Sequence, residues 1–327
     1  MKFGLAAAIL TVVVLGGFVL FARSGGLETD PAAALARHGA PPSQFVEIDG
    51  TRLHFRDEGH GPALLLLHGS RASLHQWDGW VRELGADFRI VRVDGLAHGL
   101  TGPDGAGAYT EARASRLLAG LLDHLQLDRV LVAGTSSGST QAIRFAAAYP
   151  DRVQKLSLST VPLILPSAPS PNRTRDVVFW LHQNVLGTTS TDLYWRVFLE
   201  SIYADPGKVS DEQVARYRAL NGMPDQRRRQ QDMIANWYAR GGPQKDFEVA
   251  GQVKVPVLIQ WGAAGPVLPR DIQCDITKAF SAADVRVIVY PNLGHKLVME
   301  DAATTAADAR RFLIDGEGPR ACDDPPG

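Results

Sequence analysis

Cysteine and excess charge are both scarce in this chain. Its 327 residues include two cysteines, Cys274 and Cys322, and 34 basic residues balance 35 acidic ones. We expect no nucleic-acid partner, because such surfaces need clustered positive charge. The histidines lack the spacing of metal ligands, so neither a metal nor another cofactor is expected. Two cysteines suit either compartment, since they would pair in an exported domain and stay reduced in a cytosol.

A long uncharged run stands at the amino end. Residues 3–22 are mostly apolar and lie between Lys2 and Arg23. A helix of this length crosses a hydrocarbon core of about 30 Å. A cleaved signal is the alternative, but it usually has a shorter apolar region and a small-x-small site, where this chain has Leu20. We predict a single membrane anchor over residues 1–23 with the domain outside the cytoplasm; secretion after cleavage is the alternative.

The segment after the anchor is rich in Gly, Pro and Ala, and we interpret residues 24–42 as a linker. Alternating apolar and polar residues around Asp49-Gly50 then predict a tight hairpin. Continuous apolar runs follow, as expected for strands that are buried on both faces. These runs are 63–67, 88–93, 129–134, 153–159, 255–260 and 285–290.

Helical patterns alternate with the apolar runs and predict an α/β fold, a mostly parallel sheet wrapped by helices. Residues 161–250 break this alternation, because they contain several helical segments and no convincing strand. We predict a helical insertion there. It divides the core into residues 43–160 and 251–315, and residues 316–327 form a tail.

Five hydroxyl side chains crowd the stretch "GTSSGSTQ" between the strand ending near Gly134 and the next helix. Gly134 to Gly138 match the pattern G-x-S-x-G. Glycines flank the serine because a sharp strand-to-helix turn leaves no room for larger side chains. We therefore predict Ser136 as the nucleophile, with the main-chain N–H of Ser137 as a donor to an oxyanion.

Two further turns follow strands where partners for Ser136 are needed. The turn His68-Gly69-Ser70 follows the run 63–67, and the main-chain N–H of Ser70 is predicted as the second oxyanion donor. His295 lies in a loop after the last strand, from which an imidazole can remove the serine proton. His68 itself is interpreted as structural.

These turns together with the "DGLAHG" turn that starts at Asp94 resemble the α/β-hydrolase superfamily of lipases, esterases and epoxide hydrolases, and the resemblance covers residues 43–315. It implies an eight-stranded, mostly parallel sheet with a helical cap at 161–250. Relatives with an aspartate at the elbow are dehalogenases and epoxide hydrolases. Ser136 at that position implies ester or related acyl hydrolysis.

The chain departs from the family at the triad acid. Relatives commonly have W-G-x-x-D after the seventh strand, whereas this chain has "WGAAG" with Gly265 at the acid position. The next acid, Asp271, is the remaining candidate, but a charge at the start of a helix is the alternative explanation for it.

Two functional hypotheses follow. The first is a membrane-anchored serine hydrolase that cleaves small to medium acyl esters through a Ser136 acyl-enzyme, with His295 as base. The second is a catalytically weak or non-catalytic binding protein, because the triad acid is missing. Four aromatic residues of the insertion could line a substrate pocket, although helical spacing already explains them as core: Trp180, Phe198, Tyr203 and Trp237.

Overall fold

The computed structural model describes residues 2–165, 172–265, 267–268 and 272–319. Eight strands form one sheet in the order β1-β2-β4-β3-β5-β6-β7-β8. Strand β2 is antiparallel to both of its neighbours, and the other neighbouring pairs are parallel. The strands are β1 (Ser43–Ile48), β2 (Thr51–Gly59), β3 (Ala63–Leu67), β4 (Arg89–Val93), β5 (Val130–Thr135), β6 (Val153–Ser159), β7 (Val257–Gly262) and β8 (Val285–Tyr290).

Helices flank the sheet or lie between β6 and β7. The described helices outside this interval are α1 (Lys2–Phe21), α2 (Pro31–His38), α3 (Asp78–Leu84), α4 (Glu111–His124), α5 (Ser137–Ala148), α11 (Gln273–Thr277), α12 (Leu297–Glu300) and α13 (Ala302–Asp315). Those between β6 and β7 are α6 (Arg173–Trp180), α7 (Asp192–Glu200), α8 (Asp211–Asn221), α9 (Gln226–Ala239) and α10 (Gly242–Ala250). We call α6 to α10 the helical insertion.

The central strand β3 shows why the sheet needs helices on both faces. All five of its residues are buried. Leu65 and Leu67 pack into one apolar cluster, while Leu64 and Leu66 pack into another. A strand with two buried faces has a continuous apolar run rather than an alternating one, as the sequence indicated.

The fold agrees with the predicted α/β class and eight-stranded, mostly parallel sheet. Asp49 and Gly50 both have positive φ, at 47° and 76°, and connect β1 to β2 in the predicted hairpin. Strand β7 begins at Val257 instead of residue 255. Pro256 has no N–H to donate to a neighbouring strand, which explains the later start.

The helical insertion has an apolar cluster of its own. Trp195, Leu199 and Tyr217 are central members and are almost fully buried. Because this cluster is formed largely within the insertion, its helices pack on one another as well as on the sheet.

The segment predicted as a linker is partly folded onto the domain. Residues 31–38 form α2, in which Ala34 and His38 are buried. The main-chain N–H of Thr29 donates to the Gly222 carbonyl at 2.8 Å. Asp30 caps the helix and Pro31 is its first residue. Composition suggested a spacer here, but these two residues favour a helix.

Helix α1 is long and apolar enough to cross a membrane, and it lies near the amino end, where a signal sequence would have the same properties. Its described apolar side chains are largely exposed, as shown by Val12 and Leu20 at 69% and 71%. Near the other end of the chain, Cys274 is disulfide-bonded. The second cysteine, Cys322, lies outside the described residues.

Candidate active site

Ser136 occupies a sharp turn between β5 and α5. Its backbone has φ 53° and ψ −126°, a conformation that costs a non-glycine residue about 1–3 kcal/mol. The flanking glycines are required sterically: a Cβ on Gly134 would lie 2.4 Å from the Gly138 carbonyl oxygen, and one on Gly138 would lie 2.1 Å from the Leu67 carbonyl oxygen. The Ser136 N–H donates to the Ser159 carbonyl at 2.9 Å, which fixes the turn to β6.

Two of the four neighbouring hydroxyls, those of Ser139 and Thr140, have local partners. Ser139 Oγ donates to the Ser159 carbonyl at 3.1 Å, and Thr140 Oγ1 donates to the Ser137 carbonyl at 2.8 Å. Thr135 is fully buried. Of the five hydroxyls in this stretch, only Ser136 has a hydrogen bond to a titratable side chain in the described part of the chain.

That titratable side chain is His295. Its Nε2 lies 3.0 Å from Ser136 Oγ. The loop that carries it is held at two main-chain points: the His295 N–H donates to the Ile202 carbonyl at 3.1 Å, and the His295 carbonyl accepts from Thr160 Oγ1 at 3.2 Å. The structure therefore brings the predicted nucleophile and base into hydrogen-bond contact across 159 residues of sequence.

The other imidazole nitrogen of His295 is buried and has no hydrogen-bond partner among the described residues. Gly265 lies close by, since a Cβ placed on it would be 2.9 Å from the His295 main-chain nitrogen. The alternative acid, Asp271, lies outside the described residues. Burial, with a smaller effect of the neighbouring Lys296 ammonium, lowers the pKa of His295 from 6.5 to about 3, so the imidazole is neutral at pH 7.

The turn after β3 is held by side chains on both sides. Gly69 N–H donates to Gln76 Oε1 at 3.0 Å. His68 Nε2 accepts from the Gly95 N–H at 2.9 Å, so His68 carries its proton on Nδ1, which lies 2.8 Å from the Gly69 carbonyl. His68 is thus a structural residue in this geometry.

Ser70 and Ser137, the predicted oxyanion donors, both border the same cavity. In the described part of the chain, neither main-chain N–H donates to another protein group. Ser137 is the first residue of α5, where an N–H has no partner within the helix. Two free N–H groups beside the Ser136 turn can hold a developing negative charge on oxygen.

The turn at Asp94 is expected from the sequence, whereas the network around its carboxylate is visible only in the structure. Asp94 Oδ2 lies 2.6 Å from His54 Nδ1, and the Leu74 and Leu100 N–H groups donate to the same carboxylate at 2.7 Å. Burial opposes its ionisation, but the His54 imidazole and these hydrogen bonds hold the pKa of Asp94 well below the usual range. Asp94 thus fixes the turns that follow β3 and β4.

A cavity of about 330 Å³ lies between α4, α5 and α9 and reaches the two predicted oxyanion donors. Its wall is predominantly apolar and includes Leu117, Met233, Ile234 and Trp237. Ser136 and His295 are not among its lining residues, but Ser137, which follows Ser136, is. The volume suits a small organic molecule.

Of the four aromatic residues suggested for a pocket, Trp237 lines the cavity. Phe198 and Tyr203 belong to the apolar cluster of the insertion, and Trp180 is 57% exposed. No group of three or more residues suited to hold a metal ion occurs in the described ranges.

Two cationic residues next to predicted site residues were not predicted from the sequence. Lys296 follows His295 directly and is only 2% exposed, and Arg71 follows Ser70. Their only sequence signal is adjacency to predicted site residues, because burial of a lysine cannot be recognised from a loop sequence.

This geometry, a strained serine at a strand-to-helix turn with a histidine from the loop after β8, defines a class of hydrolases built on one fold. Residues 62–302 match the family model described as alpha/beta hydrolase fold. The chain belongs to the α/β-hydrolase family.

Curated relatives include a 2-hydroxy-6-oxononadienedioate/2-hydroxy-6-oxononatrienedioate hydrolase of Paraburkholderia xenovorans, 28% identical over 80% of this chain and 92% of the relative. A 2-hydroxy-6-oxo-6-phenylhexa-2,4-dienoate hydrolase of Burkholderia cepacia is 26% identical over 84% of this chain and 97% of the relative. A meta-cleavage product hydrolase from Pseudomonas fluorescens has the same fold, with a TM-score of 0.70 and 20% identity over 84% of this chain and 98% of its own. The chain is therefore homologous to C–C bond hydrolases of the meta-cleavage pathway.

Proposed function

We propose that this protein is a serine hydrolase that transfers the acyl group of a small-molecule ester to Ser136 and then to water. The observation that carries the proposal is the 3.0 Å contact between Ser136 Oγ and His295 Nε2 at the strained turn. Two free N–H groups and an apolar cavity next to this contact supply what an acyl substrate needs.

The first half of the reaction forms the acyl-enzyme. His295 Nε2 takes the proton from Ser136 Oγ while that oxygen attacks the carbonyl carbon of the ester. The Ser70 and Ser137 N–H groups hold the negative charge that develops on the carbonyl oxygen. When the intermediate collapses, the alcohol leaves with the proton from His295.

The second half releases the acid. His295 Nε2 takes a proton from water, the resulting hydroxide attacks the acyl carbon, and Ser136 Oγ leaves with that proton. Throughout, the second imidazole nitrogen has no described acceptor, so none of the described groups there stabilises the imidazolium. Turnover slower than that of a complete triad follows, and in the limiting case the protein is a weak or non-catalytic binding protein.

Hydrolysis of a C–C bond is a second candidate function. The relatives named above act on 2-hydroxy-6-oxo dienoates and match this chain over four fifths of its length. The same serine, histidine and oxyanion donors would serve, but carbon would replace the alcohol oxygen as the leaving atom.

Labelling by a fluorophosphonate, together with a chain-length panel of aryl esters, tests the proposal. We expect one modified residue, Ser136, and loss of both labelling and turnover in Ser136→Ala. His295→Gln should slow turnover by about 10²–10⁴-fold, the usual contribution of a general base. Disappearance of the dienoate chromophore of a 2-hydroxy-6-oxo dienoate, measured in parallel, decides between ester and C–C hydrolysis.

Ser139→Ala is the matched control, because it removes a hydroxyl from the same stretch that is bonded to the Ser159 carbonyl. It should retain labelling. Persistent labelling of Ser136→Ala, or a label found on Ser139, would refute the nucleophile assignment.

We further propose that α1 anchors the protein in a membrane and leaves the hydrolase domain outside the cytoplasm. Its exposed apolar side chains and its length support this proposal. Full-length protein should resist carbonate extraction of membranes. Recovery of soluble protein that begins near Arg23 would identify a cleaved signal instead.

A further inference from the structure

Lys296 is a buried cation next to the proposed base. The residue is 2% exposed, and the one contact of its ammonium in the described part of the chain is with the ring of Tyr217. Lysine is almost never fully buried unless it is paired, because a buried charge loses its hydration. Burial lowers its pKa to about 8, so the side chain is still protonated at pH 7.

The nearest acid in the sequence does not compensate this charge. Glu300 accepts hydrogen bonds from the main-chain N–H groups of Gly294, Lys296 and Ala204 at 2.9–3.2 Å. Its carboxylate therefore holds the loop in place, and the Lys296 ammonium lies elsewhere.

Arg71 is a second cation without an acid. Its Nη1 donates to the Tyr194 hydroxyl at 3.1 Å, and it forms no ion pair within the described ranges. It follows Ser70, one of the two proposed oxyanion donors. In the chain, the two cations thus directly follow a proposed oxyanion donor and the proposed base.

Both cations border the same aromatic group in the helical insertion. Lys296 Nζ lies 5.8 Å from the ring centre of Tyr217, and Arg71 Cζ lies 5.3 Å from that of Phe198. These two rings are 6.4 Å apart. The Tyr217 hydroxyl is buried and has no hydrogen-bond partner among the described residues.

Cation–π contacts alone do not account for this arrangement. They contribute about 0.5–2 kcal/mol, less than the several kcal/mol that an uncompensated buried charge costs. A bound anion would supply both the missing charge and the missing acceptors.

We propose that Lys296 and Arg71 form an anion subsite that binds a carboxylate on the molecule whose acyl group reaches Ser136. A carboxylate suits the subsite because one negative charge balances the buried ammonium, and its two oxygens accept from separate donors. The proposal rests on the proposed function only in assuming which bond of the bound molecule is cleaved. The preference for an anion concerns binding and can be measured without turnover.

Binding to Ser136→Ala separates the two questions, because this variant needs no turnover. The probes are monomethyl glutarate and dimethyl glutarate, which share a carbon chain and differ in one negative charge. Calorimetric titration should show that the monomethyl ester binds about tenfold tighter or better, the range of a charge-assisted hydrogen bond.

Adding Lys296→Met should remove this preference and leave the binding of the neutral diester within about twofold. Lys296→Arg should keep the preference, since it keeps the charge. Lys278→Met is the matched control, because Lys278 is exposed and paired with Asp275, and it should keep the preference.

Equal binding of the two esters, or undetectable binding of the monomethyl ester, would overturn the proposal. So would an equal loss for both esters in Lys296→Met, which indicates a packing role only. An anion preference in a protein without hydrolase activity would support the subsite and refute the proposed function.

Discussion

The turn at Ser136 and the loop at His295 meet at a distance of 3.0 Å, but they are held in different ways. On the turn, main-chain packing around Gly134 and Gly138 fixes the serine, and its own N–H is bonded to β6. On the loop, main-chain bonds hold the backbone, whereas Nδ1 of the imidazole ring has no acceptor among the described residues.

This comparison separates two requirements of a nucleophilic site. The position of a nucleophile depends on backbone shape, so replacing either glycine would disrupt it. The orientation and charge of a base depend on one side chain, which can be lost without disturbing the fold. The turn at Ser136 therefore keeps its shape whether or not an acid contacts His295.

Gly138→Val would disrupt the turn at Ser136, the more firmly held of the two segments. It should have the largest effect of the substitutions considered. Its Cβ would lie 2.1 Å from the Leu67 carbonyl oxygen and 2.6 Å from that of His68, so α5 would have to move away from the end of β3. We expect a loss of about 4 kcal/mol or more in the free energy of unfolding, or failure to fold. Thermal melting and denaturant unfolding measure it.

Gly251→Ala is the control for this change, because its Cβ would meet neighbours only at ordinary distances of 3.4 Å or more. It should change stability by less than about 0.5 kcal/mol. A Gly138→Val protein as stable as the wild type would show that the turn tolerates side chains.

Gly265→Asp would place an acid next to the loop at His295, at the position where relatives commonly have the triad acid. A carboxylate there could accept the proton on the inner nitrogen of His295, and we expect turnover to rise about tenfold or more, since losing this acid costs about 10⁴-fold in a protease. Backbone strain at φ > 0 does not apply, because Gly265 is not among the positive-φ glycines. The obstacle is contact, as its Cβ would lie 2.9 Å from the His295 nitrogen and the loop must shift slightly.

Gly265→Asn provides the same shape without the charge and should raise turnover less. Asp271→Asn tests the alternative acid. If Asp271→Asn cripples the wild type and Gly265→Asp adds nothing, then Asp271 already serves as acid. Unchanged turnover in both, in well-folded proteins, would contradict both accounts.

The dependence of kcat/KM on pH should also differ between the wild type and Gly265→Asp. We expect this effect to be smaller than the change in turnover. Burial lowers the pKa of His295 to about 3, so the imidazole stays neutral and able to accept a proton as the pH falls from 7 to 5, below the pKa of about 8 of Lys296. We expect kcat/KM to be flat over this range after correction for substrate ionisation. In Gly265→Asp the new carboxylate would favour the imidazolium, raise this pKa and move the acid decline to higher pH.

A decline with a midpoint near 6.5 in the wild type would indicate a solvated or charge-compensated imidazole. That result would contradict the conclusion that the His295 imidazole is less well supported than the turn at Ser136. Circular dichroism across the same pH range controls for unfolding.

The sequence by itself determined the fold class and the chemistry-bearing turns. Continuous apolar runs require strands that are buried on both faces, and small residues around Ser136 require a sharp turn, so both are local properties of the chain. The absence of an acid at Gly265 was equally visible, because it is a matter of residue identity.

Which of these groups have partners depends on how distant segments pack in the folded chain. Three features depend on segments far apart in sequence: the distance from Ser136 to His295, the buried His295 nitrogen without an acceptor in the described part of the chain, and the burial of Lys296. The docking of α2, in a segment that composition suggested as a spacer, has the same origin, since its Ala34 is buried only when the domain is folded. Burial and pairing are properties of packed neighbours, and residue order does not specify them locally.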